Sequence, residues 1–193
     1  MEGNYGNAIG IRPKSSANGL KFGQRGQIRW CKVTNSRMKG KNGELDACRA
    51  LEKLFPFKWE RTAQRYGKGK ADIEAQCDWK IHVEVKRRKT GYSYVYGRLK
   101  SDNLIVSGSL LICRLSKLRT VMDDGVCLPN VAPRCAGLED AILQARTDAR
   151  VGWLPIVLAR QDDEEWLLAW REEHDTRLME EVRKWLDGST KPI

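Results

Sequence analysis

Long apolar runs are missing from this chain. The longest, such as LPIVLA at 154–159, are strand-sized, well short of the ~20 residues that span a bilayer, so no membrane partner is expected. The opening MEGNYGNAIG lacks a basic start followed by an apolar stretch. No secretory signal is therefore expected, and the expected location is the cytoplasm. Six cysteines, at 31, 48, 77, 113, 127 and 135, include no CxxC or CxH pair, which removes support for a structural zinc site. Without a secretion signal, a disulfide scaffold is also disfavoured. The cysteines read as reduced, small hydrophobes. No internal repeat is visible.

What is present is positive charge, unevenly placed. Residues 1–100 hold 23 Lys and Arg against 9 Asp and Glu, a balance of +14. Residues 101–193 hold 12 against 16, a balance of −4, and the halves together make the net +10. A half that basic points to a polyanionic partner, nucleic acid before anionic membrane. No amphipathic basic helix stands out there, which disfavours the membrane. At 193 residues, 41% hydrophobic and 31% charged, the chain is long enough for one domain with a true core.

Residues 1–38 are rich in Gly, Asn, Ser, Lys and Arg, with little periodicity. They read either as a flexible basic arm or as a segment packed loosely on the surface. A folded domain is expected over 39–190. NGELDACRALEKLF predicts a helix capped by Asn42, with Leu45, Cys48, Leu51, Leu54 and Phe55 on one side. Strands are expected at 57–62, 71–76 and 79–86, and two more around Ser107-Gly108-Ser109. A helix at 138–149, a hairpin across Asp162-Asp163 and a closing helix follow. The expected fold is α/β, with a mixed, mainly antiparallel sheet flanked by helices. TGYSYVYGRLK, at 90–100, fits a strand or a helix equally. Its tyrosines are ordinary core residues or a stacking platform for bases.

The stretch ADIEAQCDWKIHVEVKRRK carries the chemistry. With a three-residue turn at 77–79, Asp72 faces Glu84, Glu74 faces His82, and Lys86 shares their side of the sheet. Ala71, Ile73, Ala75, Ile81, Val83 and Val85 then form an apolar stripe on the other side. A two-residue turn would instead send Asp72 away from Glu84. Opposed carboxylates repel unless a cation sits between them, and hard oxygen donors suit Mg²⁺ or Mn²⁺. A lysine one strand-step away can orient or deprotonate water and offset charge on a phosphate. Glu44 lies at helical spacing with Cys48, Leu51 and Phe55 and so borders the packed face. Its alternative role is to favour the positive end of its own helix. His82 and Glu74 read as solvated neighbours.

Glu on a helix, then Asp, then Glu-x-Lys, in KGKNGELDACRALEKLF…ADIEA…HVEVK, resembles the PD-(D/E)XK nuclease superfamily, and within it the archaeal and phage-type Holliday junction resolvases. The resemblance spans roughly 39–175, with chemically specific residues at 39–89. Ala71 stands where the family name has Pro, and residues 1–38 and the acidic C-terminal helix have no counterpart. The resemblance implies a restriction-endonuclease-like core. It implies Mg²⁺, with Mn²⁺ substituting, held by Asp72, Glu84, the Val85 carbonyl and Glu44, while Lys86 assists the attacking water. The expected reaction is hydrolysis of a DNA phosphodiester to 5′-phosphate and 3′-hydroxyl ends, on branched DNA, by a homodimer. Lys39, Lys41, Lys68, Lys70, Arg87, Arg88 and Lys89 are then expected to contact DNA phosphates, or else are solubilising charge. The alternatives are a duplex nuclease of restriction or repair type, a non-catalytic nucleic-acid-binding protein, and an inactive scaffold on the same fold.

Overall fold

The computed structural model describes residues 36–62, 70–124 and 130–186. Its strands are β1 (Trp59–Arg61), β2 (Ile73–Ala75), β3 (Ile81–Arg88), β4 (Leu104–Ser107), β5 (Leu110–Arg114), β6 (Asn130–Ala132), β7 (Leu154–Gln161) and β8 (Leu167–Arg171). Its helices are α1 (Ser36–Glu52), α2 (Ser93–Arg98), α3 (Leu118–Asp123), α4 (Ala136–Asp148) and α5 (Asp175–Leu186). The strands form one sheet in the order β1-β2-β3-β7-β8-β5-β4-β6. β3 runs parallel to β7 and β4 parallel to β6, and the other pairings are antiparallel. The chain is therefore α/β, with a mixed, mainly antiparallel sheet between helices. This is the expected class and is consistent with a restriction-endonuclease-like core.

Alternation along β3 decides which side each residue serves. Ile81, Val83 and Val85 register with Leu154, Ile156 and Leu158 of β7. They belong to a core shared with Ile73 and with Leu51 of α1, Leu118 of α3 and Leu178 of α5. The second side is a separate apolar core built on Val157, Ala159, Leu167 and Ala169 and covered by α2 and α4. The apolar run 154–159 is buried throughout, as a central strand covered on both sides requires. Helices on both sides explain why His82 is 2% exposed rather than solvated. That corrects its reading as a solvent-facing neighbour; Glu74 is half-buried.

Several boundaries differ from expectation. α1 starts at Ser36, so Asn42 is helical and caps nothing. The glycine at 43 is tolerated there because Arg87 lies against it; a Cβ would sit 3.3 Å from the Arg87 Cβ. Leu45 points outward, 38% exposed, and Ala47 takes its place in the core. α3 and β6 are too short to leave a periodic signal. Within 90–100 the structure forms a helix, α2, at Ser93–Arg98, and Tyr92, Val95, Tyr96 and Leu99 bury one face at i, i+3, i+4, i+7. Tyr92 and Tyr96, 1% and 2% exposed, are core and offer no face to a base. The Tyr94 hydroxyl donates to the Pro133 carbonyl at 3.0 Å. Among the described residues, Cys48, Cys77, Cys113 and Cys135 are free thiols. Residues 1–35, Cys31, Lys68 and Cys127 lie outside the described residues. No helix among the described residues is long and apolar enough to cross a membrane.

Candidate functional site

One registered pair, Ile73 with Val83, fixes how β2 meets β3. That register is the one a three-residue turn at 77–79 gives, and Asp72 lies just before β2. The Asp72 N–H donates to the Val83 carbonyl at 2.9 Å, beside the registered pair. The Val85 N–H in turn donates to Asp72 Oδ2 at 2.8 Å. Asp72 thus ends against the β3 backbone, one residue from Glu84. Glu84 is 3% exposed, and its Oε1 accepts from Lys86 Nζ at 2.5 Å. A second bond from the same ammonium, 3.0 Å long, reaches Gln144 Oε1 on α4.

Electrostatics tie these groups into one cluster. Burial pushes the Asp72 carboxyl above its ordinary value. The Val85 N–H opposes that shift, the Glu44 carboxylate adds to it, and Lys86 and Arg61 lower it. Glu84 is also raised, first by burial and then by Asp72; its bond to Lys86 lowers it, and Asp148 raises it again. Glu44 raises Asp72 and Asp72 raises Glu84, and Lys86 supplies positive charge against both.

Glu44 reaches the cluster from α1 but is already engaged. It is 8% exposed, and Arg61 Nε of β1 donates to its Oε2 in an ion pair. Among the described residues, no group of three His, Cys, Asp or Glu side chains is placed to hold a metal ion. Asp72 and Glu84 are the two carboxylates here that could hold a cation, and Glu44 is bound to Arg61. That set fits Mg²⁺, which binds through one or two carboxylates and keeps water and substrate oxygens as its other ligands.

A pH dependence follows. Asp72 and Glu84 both have folded-state values above the ordinary carboxylate range. The stability they contribute is present while they are protonated and is lost as pH rises through those raised values. A dication that pairs with them relieves this loss only where they are ionised. Mg²⁺ is therefore expected to raise the melting temperature more at about pH 8 than at about pH 5. Asp72→Asn should shrink that difference. Scanning calorimetry at the two pH values checks this, and an equal effect of Mg²⁺ at both contradicts it.

The basic residues divide into two groups. Arg87 is clamped between acids, its Nε 3.1 Å from Asp162 and its Nη1 3.1 Å from Asp46. Lys39 also pairs with Asp162, at 3.2 Å. These two charges tie α1 and β3 to the turn between β7 and β8. Arg88 lies with its guanidinium carbon 6.0 Å from the Tyr92 ring centre, and Lys41 and Lys89 are exposed. Lys70 is half-buried at the start of the segment leading to Asp72.

Comparison with known proteins finds no matching family model and no similar curated protein.

Arg61, Gln144 and Asp148 are the members of the cluster that sequence reasoning missed. Gly137, Ala141, Gln144 and Asp148 recur at i, i+4, i+7 and i+11, one stripe of α4 beside its buried residues Leu138, Ile142 and Ala145. Gly137 lies under the Arg88 guanidinium, where a Cβ would come within 3.1 Å of Nη1. Gln144 meets Lys86, and Asp148 acts on both Glu84 and His82. α4 thus runs along β3 in the opposite sense, from 137 at Arg88 to 148 at His82. The periodic signal was present in the sequence, but nothing in it named β3 as the strand beneath.

Proposed function

We propose that this protein is a Mg²⁺-dependent endodeoxyribonuclease of PD-(D/E)XK type, acting on branched DNA in the manner of a Holliday junction resolvase. The observation that carries the reading is the approach of the Asp72 carboxylate to β3 at the Val85 N–H, beside Glu84, with Lys86 bonded to Glu84. A strand pair with no such duty is more stable with Val or Thr at these positions.

Asp72, Glu84 and the Val85 carbonyl would hold the cation, and Glu44 supports them through Arg61. When bound, Mg²⁺ supplies charge to the phosphate and acidifies a water. Lys86 orients the attacking water and offsets charge developing on the phosphate oxygens. The water oxygen bonds to phosphorus as the bond to O3′ breaks, and the proton ends on the leaving 3′-oxygen. Lys41, Arg88 and Lys89, whose charges are not tied up by the Asp46–Asp162 clamp, are the phosphate contacts this reading favours. Two equivalent cuts in a junction call for a two-fold dimer.

A second reading draws on one observation, the capture of Glu44 by Arg61, which leaves no three-donor group. It makes the protein a non-catalytic nucleic-acid binder on a nuclease-like fold.

Incubation of a four-way junction, a linear duplex and a single strand with Mg²⁺ decides. Cleavage of the junction with paired, symmetric cuts is the expected result. Cutting of plain duplex alone would replace resolvase by a restriction or repair activity. Salt-dependent binding with no cutting would establish the second reading.

A further inference from the structure

Lys86 is held from two sides, and only one of its partners belongs to the Glu-x-Lys strand. We infer that Gln144, from α4, is a positioning residue that draws the Lys86 ammonium partly away from Glu84 and fixes where it acts. The inference rests on the nuclease reading for its consequence, but not for its geometry.

Among the described residues the ammonium uses one of its three donors on Glu84 Oε1, at 2.5 Å, and one on Gln144 Oε1, at 3.0 Å. The third remains for a water or a phosphate oxygen. A neutral amide suits this position. Asp72 and Asp148 both already act on the Glu84 carboxylate; an amide oxygen accepts from Lys86 without adding a further negative charge. The reach is also set, because Gly137 docks one end of the α4 stripe under Arg88 and so fixes Gln144 along β3. Gln144 is itself exposed, so its bond contributes little to the core.

Without Gln144, Glu84 is the remaining partner of Lys86. The ammonium then settles fully on a carboxylate that the cation also needs. Two consequences follow: the lysine is misplaced for its water, and it competes with a dication for Glu84.

The test compares wild type with Gln144→Met, which keeps the length and loses the acceptor, and with Gln144→Glu, which keeps the acceptor. Mn²⁺ alone is titrated into DNA-free protein by calorimetry, and junction cleavage is followed at saturating Mg²⁺. Gln144→Met is expected to lower kcat roughly ten- to a hundred-fold with KM unchanged. It should also weaken Mn²⁺ binding about three- to ten-fold. Gln144→Glu, which keeps the acceptor but adds a negative charge, should recover most of both losses relative to Gln144→Met while falling short of wild type. Mn²⁺ affinity in Gln144→Met equal to wild type overturns the inference, as does a rise in KM with kcat intact, which would make Gln144 a DNA contact. If wild type binds Mn²⁺ but cuts no DNA, the nuclease reading fails and the titration alone decides on Gln144. If wild type binds no Mn²⁺, both fall.

Discussion

Asp72→Asn is expected to abolish Mg²⁺-dependent cleavage, by roughly 10³-fold or more, while junction affinity measured without the dication stays within about three-fold. The amide keeps the shape and the bond from the Val85 N–H to its oxygen, but it lacks the charge that draws a cation between residues 72 and 84. Loss of one negative charge near the DNA weakens no phosphate contact, so binding holds. Lys86→Ala is expected to lose about 10²- to 10⁴-fold, the range for a group that manages a proton or a developing charge. Glu44→Gln should cost less, about ten-fold, because Arg61 already holds that carboxylate and it acts from behind the two donors. The order Asp72 and Lys86 severe, Glu44 mild, is what this geometry predicts. Single-turnover cleavage of a labelled junction by the three purified variants measures it. Glu44→Gln as damaging as Asp72→Asn would return Glu44 to the metal shell, and undiminished cleavage by Asp72→Asn would refute the site altogether.

How much of this was legible beforehand depends on the range of the interaction. The strand pair was readable because its signal is local: period-two alternation through 71–86 fixes which residues share a side, and the turn length fixes the register. The hairpin across Asp162-Asp163 was readable too, but its place at the centre of the sheet was not, because a continuous apolar run names no neighbour. The start of α1 was misread because Asn42 looks like a cap and Gly40 and Gly43 look like breakers; packing of Arg87 against Gly43 overrides that propensity. Arg61 and Gln144 were invisible for another reason. Their partners lie 17 and 58 residues away, and an arginine in a strand or a glutamine on a helix carries no sign of what it will touch. The pairing of Arg87 with Asp46 and Asp162 was not legible either, because a basic run looks alike whether solvated or held between acids. Charge runs reveal sign, not occupancy.

Ile73→Ala is expected to cost about 2–5 kcal/mol of folding stability, and Ile73→Val only about 0.5–1.5 kcal/mol. Ile73 is fully buried in the core beneath α1, and deleting most of its side chain loses burial and leaves a cavity. The functional effect should exceed the stability effect. β2 is three residues long and meets β3 through the single registered pair Ile73–Val83. That apolar contact keeps β2 from slipping, and a slip of one residue carries Asp72 to the opposite side of the sheet from Glu84. Urea unfolding should therefore show a lower midpoint with an unchanged slope. Under conditions where Ile73→Ala is still folded, cleavage should be lost along with the extra stabilisation by Mg²⁺ at alkaline pH. Ile73→Val should keep both, because its remaining methyls still hold the register. If Ile73→Ala cleaves as wild type does while folded, the bond from the Val85 N–H to the Asp72 carboxylate is sufficient to hold the two strands in place, and the apolar stripe serves stability alone.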